Sequence, residues 1–224
     1  NPLYTRKGSQ FMFSVAATPP WSLWDGKDYK NMSDQDEAKF RMIEYHKWKF
    51  KAKIFSPLAP LTVKRTPVLM TRVEYGFLGS YNKYKKSPFE TFYMGGDGMS
   101  GYSSTYATET IGLRGYENGS IAGNGGYNSY GYAYSRLSME LRYPFLLEPS
   151  STIYGLVFVE AGNAWRDLKD FNPFQLKRSA GVGVRIFLPM IGLMGIDWAY
   201  GFDRPDGYDQ RGGSNFHFII GQEF

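Results

Sequence analysis

Apolar and polar positions alternate along this chain in eight stretches. The alternation predicts strands, because successive side chains of a strand point to opposite faces. The clearest stretch runs from Tyr45 to Phe55, where Trp48, Phe50, Ala52 and Ile54 share one parity and Lys47, Lys49, Lys51 and Lys53 the other. One face is apolar; the other carries a row of ammonium groups that suits a wet surface. Before it, Ser9 to Thr18 sets Phe11, Phe13, Val15 and Ala17 against Gln10, Met12, Ser14 and Ala16. After it, Val68 to Leu78 sets Leu69, Thr71, Val73, Tyr75 and Phe77 against Arg72 and Glu74.

The fourth stretch, about Ser129 to Tyr143, sets Leu137, Met139, Leu141 and Tyr143 against Tyr130, Tyr132, Tyr134, Arg136, Ser138, Glu140 and Arg142. In the fifth, Thr152 to Trp165, Ile153, Val157 and Val159 oppose Tyr154, Phe158 and Glu160. The sixth, Arg178 to Leu188, and the seventh, Gly192 to Phe202, oppose apolar rows to Gly181, Gly183 and Arg185 and to Gly195, Asp197 and Gly201. The eighth closes the chain, with Phe216, Phe218, Ile220 and Phe224 on one parity. Each stretch is near the ~9–11 residues that cross a bilayer as a tilted strand.

The connections alternate too. Segments 56–67, 144–151 and 189–191 are short to moderate and contain Pro, whereas 19–44, 79–128, 166–177 and 203–215 are longer and rich in Gly, Asp and Asn. Short turns on one rim and long loops on the other are the plan of an outer-membrane barrel. Within the first long loop, Ser33-Asp34-Gln35-Asp36 ahead of Glu37 to Met42 predicts a short N-capped helix.

Composition agrees with a β protein and removes other classes. The chain has 224 residues, 18% of them aromatic, and 26 Gly. Its most apolar run, Ile186 to Ile196, is broken by Pro189 and two Gly and meets Asp197, so no helix of membrane length is encoded. A net charge of +5 spread along the chain gives no nucleic-acid signature. Without Cys there is no disulfide framework or thiol chemistry. The start, Asn1-Pro2-Leu3, carries no charged-then-apolar leader and is expected of a processed chain or a fragment.

Eight strands could close alone, but such a barrel holds little beyond its own side chains. The inward row of Lys, Arg, Tyr, Glu140, Glu160 and Asp197 instead favours a wider pore, with this chain as about half of its wall.

Three motifs carry a resemblance. Ile111-Gly112-Leu113-Arg114-Gly115-Tyr116 lies in the longest loop, Ser138-Met139-Glu140-Leu141 on the fourth strand and Phe158-Val159-Glu160-Ala161-Gly162-Asn163-Ala164-Trp165 on the fifth. With the Phe-x-Phe-x-Ile-Gly-x-x-aromatic ending, the chain resembles the BamA family of outer-membrane protein assembly factors, in the outer-membrane insertase superfamily.

The resemblance implies the C-terminal half of a sixteen-stranded transmembrane β-barrel, residues 1–224 being its last eight strands. It implies a function, folding and inserting β-barrel client proteins through a lateral seam that involves the terminal strand, without cofactor. The implied partners are nascent outer-membrane proteins, accessory assembly lipoproteins, and outer-membrane lipid and lipopolysaccharide, in the outer membrane of a Gram-negative bacterium. Arg114, Gly115 and Tyr116, with Glu140 and Glu160, would anchor the long loop inside the pore. Phe216, Phe218, Ile220, Gly221 and Phe224 would form the seam and terminal-strand signal. The Cys pair of some members is missing and the first long loop is larger than theirs.

Physical chemistry supports the anchor independently. Glu140 and Glu160 share the inward parity on neighbouring strands, and one planar guanidinium suits two carboxylates better than an ammonium would. His46 and His217 are far apart and have no carboxylate cluster at ligand spacing, which argues against a metal site. No nucleophile or phosphate-loop motif stands in a catalytic context, so no enzyme is expected. Two other readings stay open: a secretion translocator of the same superfamily or a passive transport pore, and a self-contained eight-stranded structural or adhesive barrel. If the seam reading holds, the outer edge of the last strand does not pair with Ser9 to Thr18.

Overall fold

The alternating stretches pair in sequence order into one antiparallel sheet. In this computed structural model, residues 4–34, 36–98, 109–122, 130–148, 151–189 and 192–220 are described. The elements are β1 (Gly8–Ala17), α1 (Trp21–Trp24), α2 (Glu37–Phe40), β2 (His46–Pro57), β3 (Val68–Gly79), β4 (Phe92–Met94), β5 (Glu109–Ile111), β6 (Ala133–Glu148), β7 (Ser151–Trp165), β8 (Lys177–Leu188), β9 (Gly192–Gly201) and β10 (Gly213–Ile220). Eight of these form a meander in the order β1-β2-β3-β6-β7-β8-β9-β10, and β4 and β5 form a small parallel pair inside the longest loop. The fold class is all-β, an antiparallel barrel wall that is not closed.

The two faces are as different as the parity predicts. On the outer face Phe11, Phe13, Trp48, Phe50, Val157, Val159, Val182, Ile196, Phe216 and Phe218 are exposed. On the inner face Arg72, Glu74, Arg136, Glu140, Arg142, Glu160, Arg185 and Asp197 are buried. A soluble protein would reverse that arrangement, since exposed apolar area is unfavourable in water and unpaired buried charge more so. Outer-face ring pairs stand at both ends of the strands, Tyr143 with Phe145 and Tyr200 with Phe202, each pair 5.6 Å between centroids. Aromatic girdles of this kind mark the two interfaces of a membrane barrel.

The sheet curls until Ile219 of β10 and Gln10 and Met12 of β1 line one cavity, yet no ladder joins the two strands. Among the described residues β10 pairs with β9 and β1 with β2. Gly221 and Phe224 of the terminal-strand signal lie outside the described residues.

The strand limits differ most from the sequence expectation at the fourth strand, and the last strand begins at Gly213, inside the expected 203–215 loop. The fourth strand begins at Ala133, and it runs through Pro144 to Glu148 where a connection was expected. Pro144 pairs with Tyr154 and Leu146 with Ile153, so Phe145 is an extra residue in a bulge. A bulge is one of the few places a sheet tolerates Pro, which has no N–H for the ladder. The helix α2 ends at Phe40, two residues short of Met42; its N-cap Asp36 accepts from the Ala38 N–H at 2.9 Å.

The long loop between β3 and β6 folds inward and fills the sheet. Phe92 and Met94 of β4, Ile111 of β5, then Leu113, Tyr116 and Ile121 pack against Leu78, Tyr134 and Ala164 of the wall in one buried cluster. Every one of those loop side chains would be exposed if the loop stood away from the barrel. Their burial is what holds β4 and β5 in place, since three-residue strands carry little stability alone.

Candidate functional site

Arg114 leaves β5 after Gly112 and Leu113, and its side chain reaches the inner face, fully buried. Its Nη2 donates to Glu140 Oε1 at 2.6 Å and to Glu160 Oε1 at 2.7 Å; its Nη1 donates to Asp197 Oδ2 at 2.9 Å. Its backbone N–H donates to Glu160 Oε2 at 2.9 Å. The three carboxylates come from β6, β7 and β9, so one guanidinium ties the loop to three wall strands.

The carboxylates are held in turn from the other side. Arg142 donates Nε and Nη2 to Glu140 Oε2 at 2.9 and 2.7 Å. Arg136 and Ser138 donate to Glu160 Oε1 at 2.8 and 3.1 Å. Arg185 donates Nη1 and Nη2 to the two oxygens of Asp197 at 2.5 and 2.8 Å. Four guanidiniums therefore face three carboxylates away from bulk water, where a single unpaired charge would cost several kcal/mol. Phe158 of β7 lies under the Arg114 guanidinium, 3.5 Å from Cζ to the ring centroid, a cation–π contact in a dry setting.

Gly115 has φ +89, a left-handed conformation that suits only glycine without strain. A Cβ there would also stand 2.9 Å from the Gly201 backbone nitrogen. The Gly115 N–H donates to His217 Nε2 at 2.9 Å, and its carbonyl accepts from Asn215 Nδ2 at 3.1 Å. Both partners belong to β10. Tyr116 packs its ring where Gly201 and Gly212 have no side chain; a Cβ on Gly212 would be 2.6 Å from ring Cδ1. Its hydroxyl donates to the Arg178 carbonyl at 2.6 Å, and burial pushes that hydroxyl up to about 12.

A second attachment lies on β2. Glu109 of β5 sits 3.0 Å from the Nζ of both Lys47 and Lys49 and 3.9 Å from that of Lys51. Glu90, at φ +66, adds a 3.0 Å contact to Lys47. At one end of the row this departs from the expected wet lysine face: Lys47 is 4% exposed and binds acidic groups of the chain's own loop, whereas the Lys49 and Lys51 side chains stay 28% and 30% exposed. Burial alone would raise the Glu109 carboxyl, but the Lys47 and Lys49 ammoniums outweigh it and hold the group below the usual carboxylate range.

Of the residues singled out from the sequence, Arg114, Gly115, Tyr116, Glu140 and Glu160 meet in this one cluster, while Phe216, Phe218 and Ile220 form the exposed outer face of β10. Sequence reasoning missed Asp197 as a ligand of Arg114 and both β10 residues that hold Gly115. Asp197 and His217 did carry the inward parity; nothing in the sequence said which loop would arrive above them.

Over residues 37–224 the chain matches the Omp85 superfamily domain. The same fold is seen in the crystal structure of BamA from Haemophilus ducreyi lacking POTRA domains 1-3, with a TM-score of 0.58 and 21% identity. That likeness covers 95% of this chain and 38% of the other, so this chain spans well under half the length of the protein it matches. No curated protein sequence matches. Because the domain match runs from the first long loop to the last residue, the chain belongs to the Omp85 superfamily, and its sheet is wall of an outer-membrane β-barrel.

Proposed function

We propose that the chain is the C-terminal half of an insertase barrel in a Gram-negative outer membrane, folding client β-barrel proteins at a lateral seam beside β10. Its partners on this reading are nascent outer-membrane proteins, accessory lipoproteins, and the surrounding lipid and lipopolysaccharide. The observation that carries it is the pair of hydrogen bonds from the Arg114–Tyr116 turn to β10, through His217 and Asn215. The loop anchor and the strand that would border the seam are one mechanical unit.

The chemistry is strand addition and needs no covalent bond to be made or broken. An edge strand in lipid has backbone donors and acceptors that water cannot satisfy, so a client strand that pairs with it is stabilised for every ladder bond formed. Phe216, Phe218 and Ile220 turn the same strand's apolar side to the lipid, so the edge can accept a partner without leaving the bilayer plane. The buried Arg114 network keeps the loop inside while the edge works.

A passive pore is disfavoured by the same loop, which fills the inner face with Phe92, Met94, Leu113 and Tyr116. The deciding experiment is depletion of the full-length protein with readout of folded outer-membrane proteins. The insertase reading expects a general loss of folded barrels. Unchanged barrel levels with loss of one exported protein would replace it with a secretion translocator.

A further inference from the structure

The inward loop meets β10 through two bonds of different chemistry. The Gly115 carbonyl accepts from Asn215 Nδ2 at 3.1 Å, and the Gly115 N–H donates to His217 Nε2 at 2.9 Å. A side-chain amide donates at any ordinary pH. An imidazole nitrogen accepts only while it carries no proton, and a backbone N–H can only donate. Nε2 is therefore bare in this arrangement, and its lone pair is the acceptor that the buried Gly115 N–H uses. A proton arriving at Nε2 would set one N–H against another across 2.9 Å, so the two groups must part. Histidine is the side chain whose ordinary titration, near 6.5, puts that competition in the physiological range.

Charged groups face the ring from the wall and from the loop. Asp197 of β9 is its partner in the ladder register, and both Asp197 oxygens are already held by Arg114 and Arg185. Arg114 and Asp97 come from the loop and Glu160 from β7, and Glu160 is held by Arg114 and Arg136. β10 itself, Gly213–Ile220, has no other charged side chain. The ion pairs of Asp197 and Glu160 are thus complete with a neutral ring beside them. What a proton would break is the ring's own bond to Gly115.

We propose that His217 is a pH-sensitive latch between the inward loop and the terminal strand. Neutral, it accepts from Gly115 and holds β10 to the loop; protonated, it releases Gly115 and leaves Asn215 as the pH-independent tether. Arg114 ties the same loop to β6, β7 and β9 through Glu140, Glu160 and Asp197, so acid would loosen β10 while the loop stays anchored. That a loosened β10 opens the seam more readily rests on the insertase reading; the latch itself does not.

The test uses the full-length protein in detergent micelles, followed by NMR from about pH 8 to about pH 5. Two quantities are read: the His217 ring 15N signals, assigned through the backbone, and amide protection factors, which remove the intrinsic pH dependence of exchange. Expected is a transition of the ring signals below about pH 6.5, with protection at Gly115, Phe216 and Phe218 falling about tenfold or more over the same range and β6–β7 protection unchanged. Glutamine gains no proton in that range, so His217→Gln should make β10 protection flat with pH. The other histidine of the chain, His46, accepts from Trp48 Nε1 at 3.0 Å on β2, so its titration would show in β2 and not in β10. A ring that stays unprotonated throughout, a ring that protonates while β10 protection holds, or an acid loosening of β10 that persists in His217→Gln overturns the latch. If the variant does not fold, coincidence of the ring and amide transitions in the unaltered protein decides alone.

Discussion

Both oxygens of the Glu160 carboxylate face Arg114: Oε2 accepts the backbone N–H at 2.9 Å and Oε1 accepts from Nη2 at 2.7 Å. One wall residue thus fixes the loop's backbone and its side chain together. Arg114→Ala leaves Glu140, Glu160 and Asp197 each with one cation fewer. Breaking a buried pair from one side costs about 3–5 kcal/mol. The lower end is expected, because Arg142, Arg136 and Arg185 still hold the three carboxylates. Denaturant unfolding in micelles should show this loss, and Arg114→Lys should recover only a small part, since an ammonium cannot span three acceptors in a plane.

The second attachment predicts a response to acid. Glu109 is held below the usual carboxylate range in the folded protein, so its contribution to stability is fully present above the ordinary glutamate value of about 4.3. It is lost as pH falls through the lower folded value. The β4–β5 pair should therefore loosen below about pH 4. Hydrogen exchange at the Glu109 and Gly95 amides, which donate to Thr91 and Ile111 carbonyls at 2.9 Å, would report it. Glu109→Gln should give the loosened exchange already at neutral pH, with a flatter acid dependence.

How the anchor assembled from the sequence explains what parity can and cannot find. Glu140 and Glu160 were legible because a period of two places them on the inner face, and Arg114 because a loop motif marks it. The partner of the lysine row was not, because Glu109 sits 60 positions from Lys49 in a segment with no periodicity of its own. Strands of three residues, β4 and β5, are too short to alternate visibly. Pro144 read as a turn because the missing N–H is a local fact, whereas the bulge that accommodates it depends on Tyr154 and Ile153 of the next strand. Pairwise tertiary arrival, rather than local pattern, is the common element in each miss.

His217 offers a test of the coupling between loop and edge strand. Removing the imidazole by His217→Ala leaves the buried Gly115 N–H without its acceptor, a cost of about 1–3 kcal/mol. The loss should concentrate in β10, because Asn215 is then the one residue of the pair from β10 that still holds the turn. Faster amide exchange at Phe216 and Phe218, with Arg114 contacts and β6–β7 exchange unchanged, is the expected pattern. Uniform acceleration across all strands would mean that the hydrogen bond serves global stability instead of the edge.

The assignment of the outer face to lipid makes a prediction that reverses soluble-protein expectation. Val157 is 55% exposed in the middle of β7, between the buried Leu156 and Phe158. On a water-facing surface Val157→Arg would change stability by less than about 0.5 kcal/mol. On the lipid face of a barrel near the bilayer midplane an arginine costs about 2–4 kcal/mol. Position along the strand matters, so the same substitution at Tyr143, nearer the turn rim, should cost less because arginine can reach the headgroups there. Urea unfolding of the three proteins in lipid vesicles separates the cases. A large loss for Val157→Arg and a small one for Tyr143→Arg fixes both the face and the depth, whereas two small losses would place this side of the sheet against water.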